Sequence, residues 1–179
     1  MLRPESGPYL FDTSAESWLS RNPAPPIRDW LLLHLRQHTI NVAAVTVAER
    51  IRGYAVQSAI APAQRRAAIE AARLEYLRLL GQVRPLDRVA AIVAGEIMAL
   101  LPNPPTPPRR SHHLAESRQD RLARWRFDCL IAATALVARL PLIHNNPADF
   151  EAIRSAIEIS PQRFPNLGPL ELVRCASVA

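Results

Sequence analysis

The chain has 179 residues, enough for one compact domain that carries an arm. Hydrophobic residues make up 49% of it and charged residues 21%, a balance that excludes a disordered chain. Its 22 basic residues, all of them arginine, outnumber 16 acidic ones and leave a net charge of +6. That charge suits a polyanionic partner, and the lack of lysine excludes Schiff-base and Walker-lysine chemistry.

Two cysteines, Cys129 and Cys175, stand far apart with no CxxC or Cys/His cluster, which argues against a zinc site. The first residues, MLRPESGPYLFD, lack the apolar core of a signal peptide, and the longest apolar stretches are short of a membrane span or carry Arg and Glu. A reducing, cytoplasmic location is the expectation.

Tyr9-Leu10-Phe11 reads as a short buried strand ending at Asp12. Prolines 23, 25 and 26 mark a loop, and 27–37 reads as a helix. Residues 39–45, β-branched and apolar, predict a second buried strand. A helix starts at Thr46. Pro62 as a first helical residue and Gly81 as a stop bound a long amphipathic helix over 62–80, so that 46–80 forms a helical hairpin. A third strand is predicted over 82–86. Asp87 caps an apolar helix that Pro102 ends, and the Met and Leu stripe over 89–101 is read as core.

Residues 102–108 carry five prolines in seven and predict a stiff linker; an arginine-rich stretch, 109–126, follows. Asp128 opens a strongly apolar helix. Residues 141–144 read as a fourth strand, Asn145-Asn146-Pro147 as a turn, and a short helix carries Asp149 and Phe150. A fifth strand is predicted over 156–159, and the tail, with Pro161, Pro165 and Pro169, as an extended surface segment. Short apolar strands alternating with helices indicate an α/β fold with a parallel sheet.

Open parallel sheets bind ligands outside the carboxyl ends of their strands. Four acids fall where that rule would place them: Asp12 after strand one, Glu49 after strand two, Asp128 at a helix start and Asp149 after strand four. Each has a plain structural reading as well. Asp12 would serve as a turn residue, Asp128 as a helix cap and Asp149 as the partner of a surface arginine. Glu49 would complete a capping box with Thr46. Taken together, converging carboxylates repel one another unless something neutralises them. A hard divalent cation such as magnesium or manganese does so through oxygen ligands alone, and keeps several of its waters. Such a metal assists phosphodiester hydrolysis, and the basic remainder of the chain would supply phosphate contacts.

The segments YLFDTS, TVAER, FDCLIAATA and LIHNNPADF, in this order and at this spacing, resemble the PIN domain, and within it the VapC-like ribonuclease toxins of type II toxin–antitoxin pairs. The resemblance covers roughly residues 9–160. It implies a PIN-like, three-layer α/β/α fold with a central parallel sheet of four or five strands and a helical-hairpin arm. It also implies a magnesium- or manganese-dependent endoribonuclease. The acids matching the motif are Asp12, Glu49, Asp128 and Asp149, with Asp12 and Asp128 as direct metal ligands and Glu49 and Asp149 acting through water or on the nucleophile. Thr13, Ser14 and Asn146 would support them. The implied partners are an RNA substrate, a cognate antitoxin whose C-terminal segment lies across the acidic groove, and a second copy of the chain in a homodimer. The domain expectation is a nuclease domain over 1–160 with an insertion at 102–127, and an extension over 161–179 packed on or extended over that domain. His144 stands where the family commonly has Thr or Ser, and is a candidate for a hydrogen bond or a base at the site edge.

Two other readings share the fold. One is a PIN nuclease of RNA processing, which an adjacent antitoxin gene would distinguish. The other is a catalytically silent module that binds nucleic acid or protein through the arginine-rich insertion, which binding without magnesium dependence would favour. Glu96 is read as solvated or arginine-paired, His112 and His113 as exposed loop residues, and Trp18, Trp30 and Trp125 as core or interface.

Overall fold

A computed structural model of the chain describes residues 3, 6–19, 24–107 and 117–175. Five short strands form one all-parallel sheet: β1 (Leu10–Phe11), β2 (Asn41–Ala43), β3 (Gln82–Arg84), β4 (Leu142–His144) and β5 (Leu172–Arg174), in the order β3-β2-β1-β4-β5. Helices α1 (Thr13–Leu19), α2 (Pro25–His34), α3 (Ala44–Ile60), α4 (Ala63–Leu79), α5 (Arg88–Leu100), α6 (Arg118–Ala138) and α7 (Pro147–Ile159) connect them.

Side chains alternate across the sheet, and this alternation makes three layers. Leu10, Ala43 and Leu142 point to one face and join a core with Val93 and Ile97 of α5, Trp125 and Cys129 of α6, and Phe150 and Ile153 of α7. Phe11, Val42 and Ile143 point to the other, where Ala15, Ile27 and Trp30 of α1 and α2 cover them. The register matches: Phe11 sits between Val42 and Ile143. Within α5 the buried residues are Ala90, Val93, Ala94 and Ile97, the single apolar stripe of a helix lying on a sheet. Asp87 caps it by accepting a hydrogen bond from the Ala90 N–H at 2.8 Å. Helices α3 and α4 pack on each other as the predicted hairpin, with Tyr54 and Tyr76 rings 6.0 Å apart. Both cysteines are buried and free.

Four expectations need correction. Residues 156–159 are the last turn of α7, not a strand: Ala156 and Ile157 are buried but Glu158 and Ile159 face outward, and so short a run fits either element by sequence. The fifth strand is Leu172–Arg174, in the tail, paired with β4. Asp128 does not open its helix: α6 begins ten residues earlier at Arg118, where Ser117 accepts from the Asp120 N–H, and the arginines of residues 118–126 lie in its first turns. Helix α3 begins at Ala44, which puts Thr46 inside it, so Thr46 and Glu49 form no capping box. Of the remaining readings, Glu96 pairs with Arg163 at 2.9 Å, and Trp30 and Trp125 are buried. His112 and His113 lie outside the described residues.

Gly81 does a different job from the predicted helix stop. A Cβ built there would lie 2.2 Å from the Ile40 carbonyl oxygen, so the chain leaving α4 approaches β2 too closely for any side chain. Gly81→Ala is expected to lower stability by about 1–3 kcal/mol, read from the urea midpoint. An unchanged midpoint would show that the two segments part without cost.

Candidate active site

The strand order reverses at β1, and a crevice of about 490 Å3 opens beyond the carboxyl ends of the strands there. Asp12 and Asp128 line it with Thr13, Ser14, Glu49 and Asn146. Asp12 leaves β1 and turns back on the start of α1, where its carboxylate accepts from the Ala15 N–H and the Ser14 hydroxyl. Glu49 reaches the crevice from α3 and accepts from the Thr13 hydroxyl. Asp128 projects from the middle of α6.

Asp149 is the exception among the four acids. It is fully buried and does not line the crevice. Its carboxylate accepts from Arg124 at 3.0 Å and from the Asn146 side-chain amide at 2.6 Å. That same amide donates to Asp128 at 3.1 Å. Asp149 thus holds two crevice residues, Arg124 and Asn146, from behind.

The electrostatics follow from this crowding. Burial pushes the Asp128 carboxyl well above its ordinary value, and Asp149, Asp12 and Glu49 push it further, with Arg124 opposing. Burial also raises Asp12 against the pull of its hydrogen bonds, and raises Glu49, where Thr13 opposes. The site therefore disfavours its own negative charge. Among the described residues, no three His, Cys, Asp or Glu side chains are gathered as a ready ligand set. Asp12, Glu49 and Asp149 each accept hydrogen bonds from a protein donor.

His144 takes no part. It is fully buried beside Phe150, with ring centroids 5.0 Å apart, and it does not line the crevice. Of the two readings open to it, the packing one fits this burial. Burial lowers its pKa to about 4, helped by the Arg174 charge and opposed by Glu151 and by a hydrogen bond with the Asn146 backbone. A base whose folded value is depressed contributes stability that is present above its unfolded value, about 6.5, and lost as the pH falls toward 4. His144→Leu is expected to flatten this loss, worth roughly 2 kcal/mol between pH 7.5 and 5, in urea midpoints compared at those two values. Equal slopes in both proteins would count against a buried neutral imidazole.

Several crevice residues escaped sequence reasoning. Arg124 stands four residues before Asp128, one turn away on the same helix face, a relation hidden while the helix was taken to begin at Asp128. Arg50, Gly53, Tyr54 and Gln57 follow Glu49 along α3 at helical spacing, a pattern present in the sequence but without a motif to mark it.

No protein-family model matches the chain, and no curated protein matches it. Solved structures do. VapBC2 from Rickettsia felis, bound to a DNA fragment from its promoter, aligns over 93% of this chain and 97% of the other, with a TM-score of 0.57 and 16% identity. FitAB bound to an IR36 DNA fragment aligns over 93% and 94%, with a TM-score of 0.54 and 19% identity. The fold is PIN-like. FitAcB from Neisseria gonorrhoeae adds a TM-score of 0.51 and 24% identity, over 82% of this chain and 93% of the other. The PIN-like sheet accounts for the placement of Asp12, Glu49 and Asp128 around one crevice. Among the described residues, no helix is long and apolar enough to cross a membrane.

Proposed function

We propose that the chain is a divalent-metal-dependent endoribonuclease and the toxin half of a toxin–antitoxin pair. The observation that carries this reading is Asp128. It is a carboxylate on a crevice wall whose charge is opposed by burial and by three neighbouring acids, within a basic protein. Magnesium or manganese suits the donor chemistry, which is oxygen throughout. Asp12 and Asp128 would hold the ion directly, water would complete its shell, and Glu49 would contact it through water. When bound, the ion would offset the acids' repulsion and supply Lewis acidity toward a phosphodiester.

The chain's own residues do the remaining work. Ser14 and the Ala15 N–H fix the Asp12 carboxylate, and Thr13 fixes Glu49. Asn146 ties Asp128 to Asp149, and Asp149 aims Arg124 at the crevice, where its guanidinium meets a phosphate. The antitoxin partner is supported by the likeness to the VapBC2 and FitAB complexes and by the motif resemblance. Cleavage of total RNA is expected with magnesium or manganese, none with EDTA, and none by Asp12→Asn, with circular dichroism confirming the fold. Cleavage unaffected by EDTA and by Asp12→Asn would remove the acids from the mechanism.

A further inference from the structure

At the opposite end of the sheet from the acids, an open cleft of about 420 Å3 lies where β2 and β3 begin. Gln82 and Arg84 of β3, Asn41 of β2, and Arg36 and His38 from the turn after α2 line it. Its chemistry starts from Asn41, an amide only 1% exposed. The amide nitrogen donates to the Tyr9 carbonyl at 3.2 Å and to the Thr39 carbonyl at 3.1 Å, which fixes the amide oxygen as an acceptor. That oxygen accepts from Arg84 Nε at 3.0 Å, and the Gln82 side-chain oxygen accepts from Arg84 Nη2 at 3.2 Å. Both acceptors are neutral, and the rest of the guanidinium fork is left for other partners. Among the described residues, no carboxylate pairs with Arg84 or Arg36, and none lines the cleft. Where α2 ends, the N–H groups of Arg36, Gln37 and His38 bond the Leu33 and His34 carbonyls, which satisfies two acceptors at the negative end of that helix.

We propose that this cleft binds a phosphate monoester, carried by a free nucleotide or by the 5′ end of a nucleic-acid strand. Two guanidinium charges match the near-dianion of a monoester better than the single charge of a diester. A guanidinium meets phosphate oxygens in pairs, and Arg84 is already held by a buried amide, so it loses little freedom on binding. Its holders carry no charge, so the ligand supplies the counter-charge. An Arg84 that served only to tie β3 to β2 would leave Arg36 without a part, which makes Arg36 the deciding residue. The site stands apart from the acids and does not need the nuclease reading to hold.

The test is calorimetric titration of the full chain in EDTA, where the uncompensated acids of the crevice repel anions. The probes are inorganic phosphate, AMP, adenosine, and the dinucleotide ApA with and without a 5′ phosphate. Inorganic phosphate, AMP and phosphorylated ApA are expected to bind, adenosine not to, and unphosphorylated ApA to bind at least about tenfold more weakly than its phosphorylated form. Arg36→Gln and Arg84→Gln are each expected to weaken AMP about tenfold. Arg36 is exposed, so its variant keeps the fold even where Arg84→Gln loosens the sheet edge. Arg65→Gln removes the same charge from the far end of α4 and is expected to leave AMP binding unchanged. Phosphorylated ApA binding tighter than AMP supports the site and makes a strand end its ligand; equal binding supports it with a free nucleotide as sufficient. AMP binding unmoved by Arg36→Gln, or weakened as much by Arg65→Gln, would overturn the site. So would unphosphorylated ApA binding as tightly as the phosphorylated form, or no binding of AMP and inorganic phosphate at all.

Discussion

Asp128→Asn is expected to raise the melting temperature of the metal-free protein by several degrees at neutral pH while abolishing metal-dependent RNA cleavage. The two effects share one cause. Burial first, and then Asp149, Asp12 and Glu49, raise the folded-state value of the Asp128 carboxyl above its unfolded one. A raised acid contributes stability that is fully present below the unfolded value, about 4, and is lost as the pH climbs through the folded value. At neutral pH without metal, the ionised group therefore costs stability, and the isosteric amide does not. The gap between variant and wild type should close under acid, where wild type is protonated. It should close again in magnesium, which binds only the wild-type site with strength and so stabilises it. Cleavage should fall beyond the roughly 10–100-fold typical of residues that merely orient a ligand. Differential scanning fluorimetry across pH, with EDTA and with magnesium, reads the first effect. A variant less stable than wild type under every condition would show that Asp128 is a structural residue.

Arg124→Met is expected to destabilise the fold by about 3 kcal/mol at neutral pH. The guanidinium holds Asp149, which is fully buried and already faces Asp128 across Asn146. Methionine keeps much of the length and apolar stem but leaves that carboxylate without its cation. The double variant Arg124→Met with Asp149→Asn should recover most of the loss, because the amide carries no charge to strand. A double-mutant cycle in urea separates this coupling from lost packing. Additive single effects would mean that the ion pair carries no weight. The same cycle assayed for cleavage distinguishes the phosphate contact: the double variant should regain stability without regaining full activity.

What the sequence made readable was the sheet around the site. Residues 9–11, 39–45 and 141–144 are short apolar runs with no competing helical pattern, and each holds a strand shorter than the run: Leu10–Phe11, Asn41–Ala43 and Leu142–His144. Asp12 was placed correctly because a polar residue at the end of a buried run has few places to go. Errors arose where local pattern was ambiguous. Residues 156–159 hold Ala156, Ile157 and Ile159, too few apolar positions to separate the end of a helix from a strand. The arginines of 118–126 hid a helix because a charged face suppresses the apolar signal, and with it went the relation between Arg124 and Asp128. The difference between Asp149 and the other acids was beyond sequence altogether. Nothing in the order of residues says that one carboxylate of four stands behind the wall, since that follows from how α6 and α7 pack.

Leu10 lies beside Asn41 on one side and beside Leu142 on the other, so the first strand made is also the one at the centre. During translation it emerges early and can pair with β2 at once, but its second neighbour is still unmade. Pairing across so long a stretch is slow, because the intervening chain must be brought together before any contact rewards it. The crevice inherits that delay. Asp12 and Glu49 leave the ribosome well before Asn146 and Asp149, which orient the opposite wall. A nascent chain therefore carries one wall of the site without the other until β4 and α7 have followed.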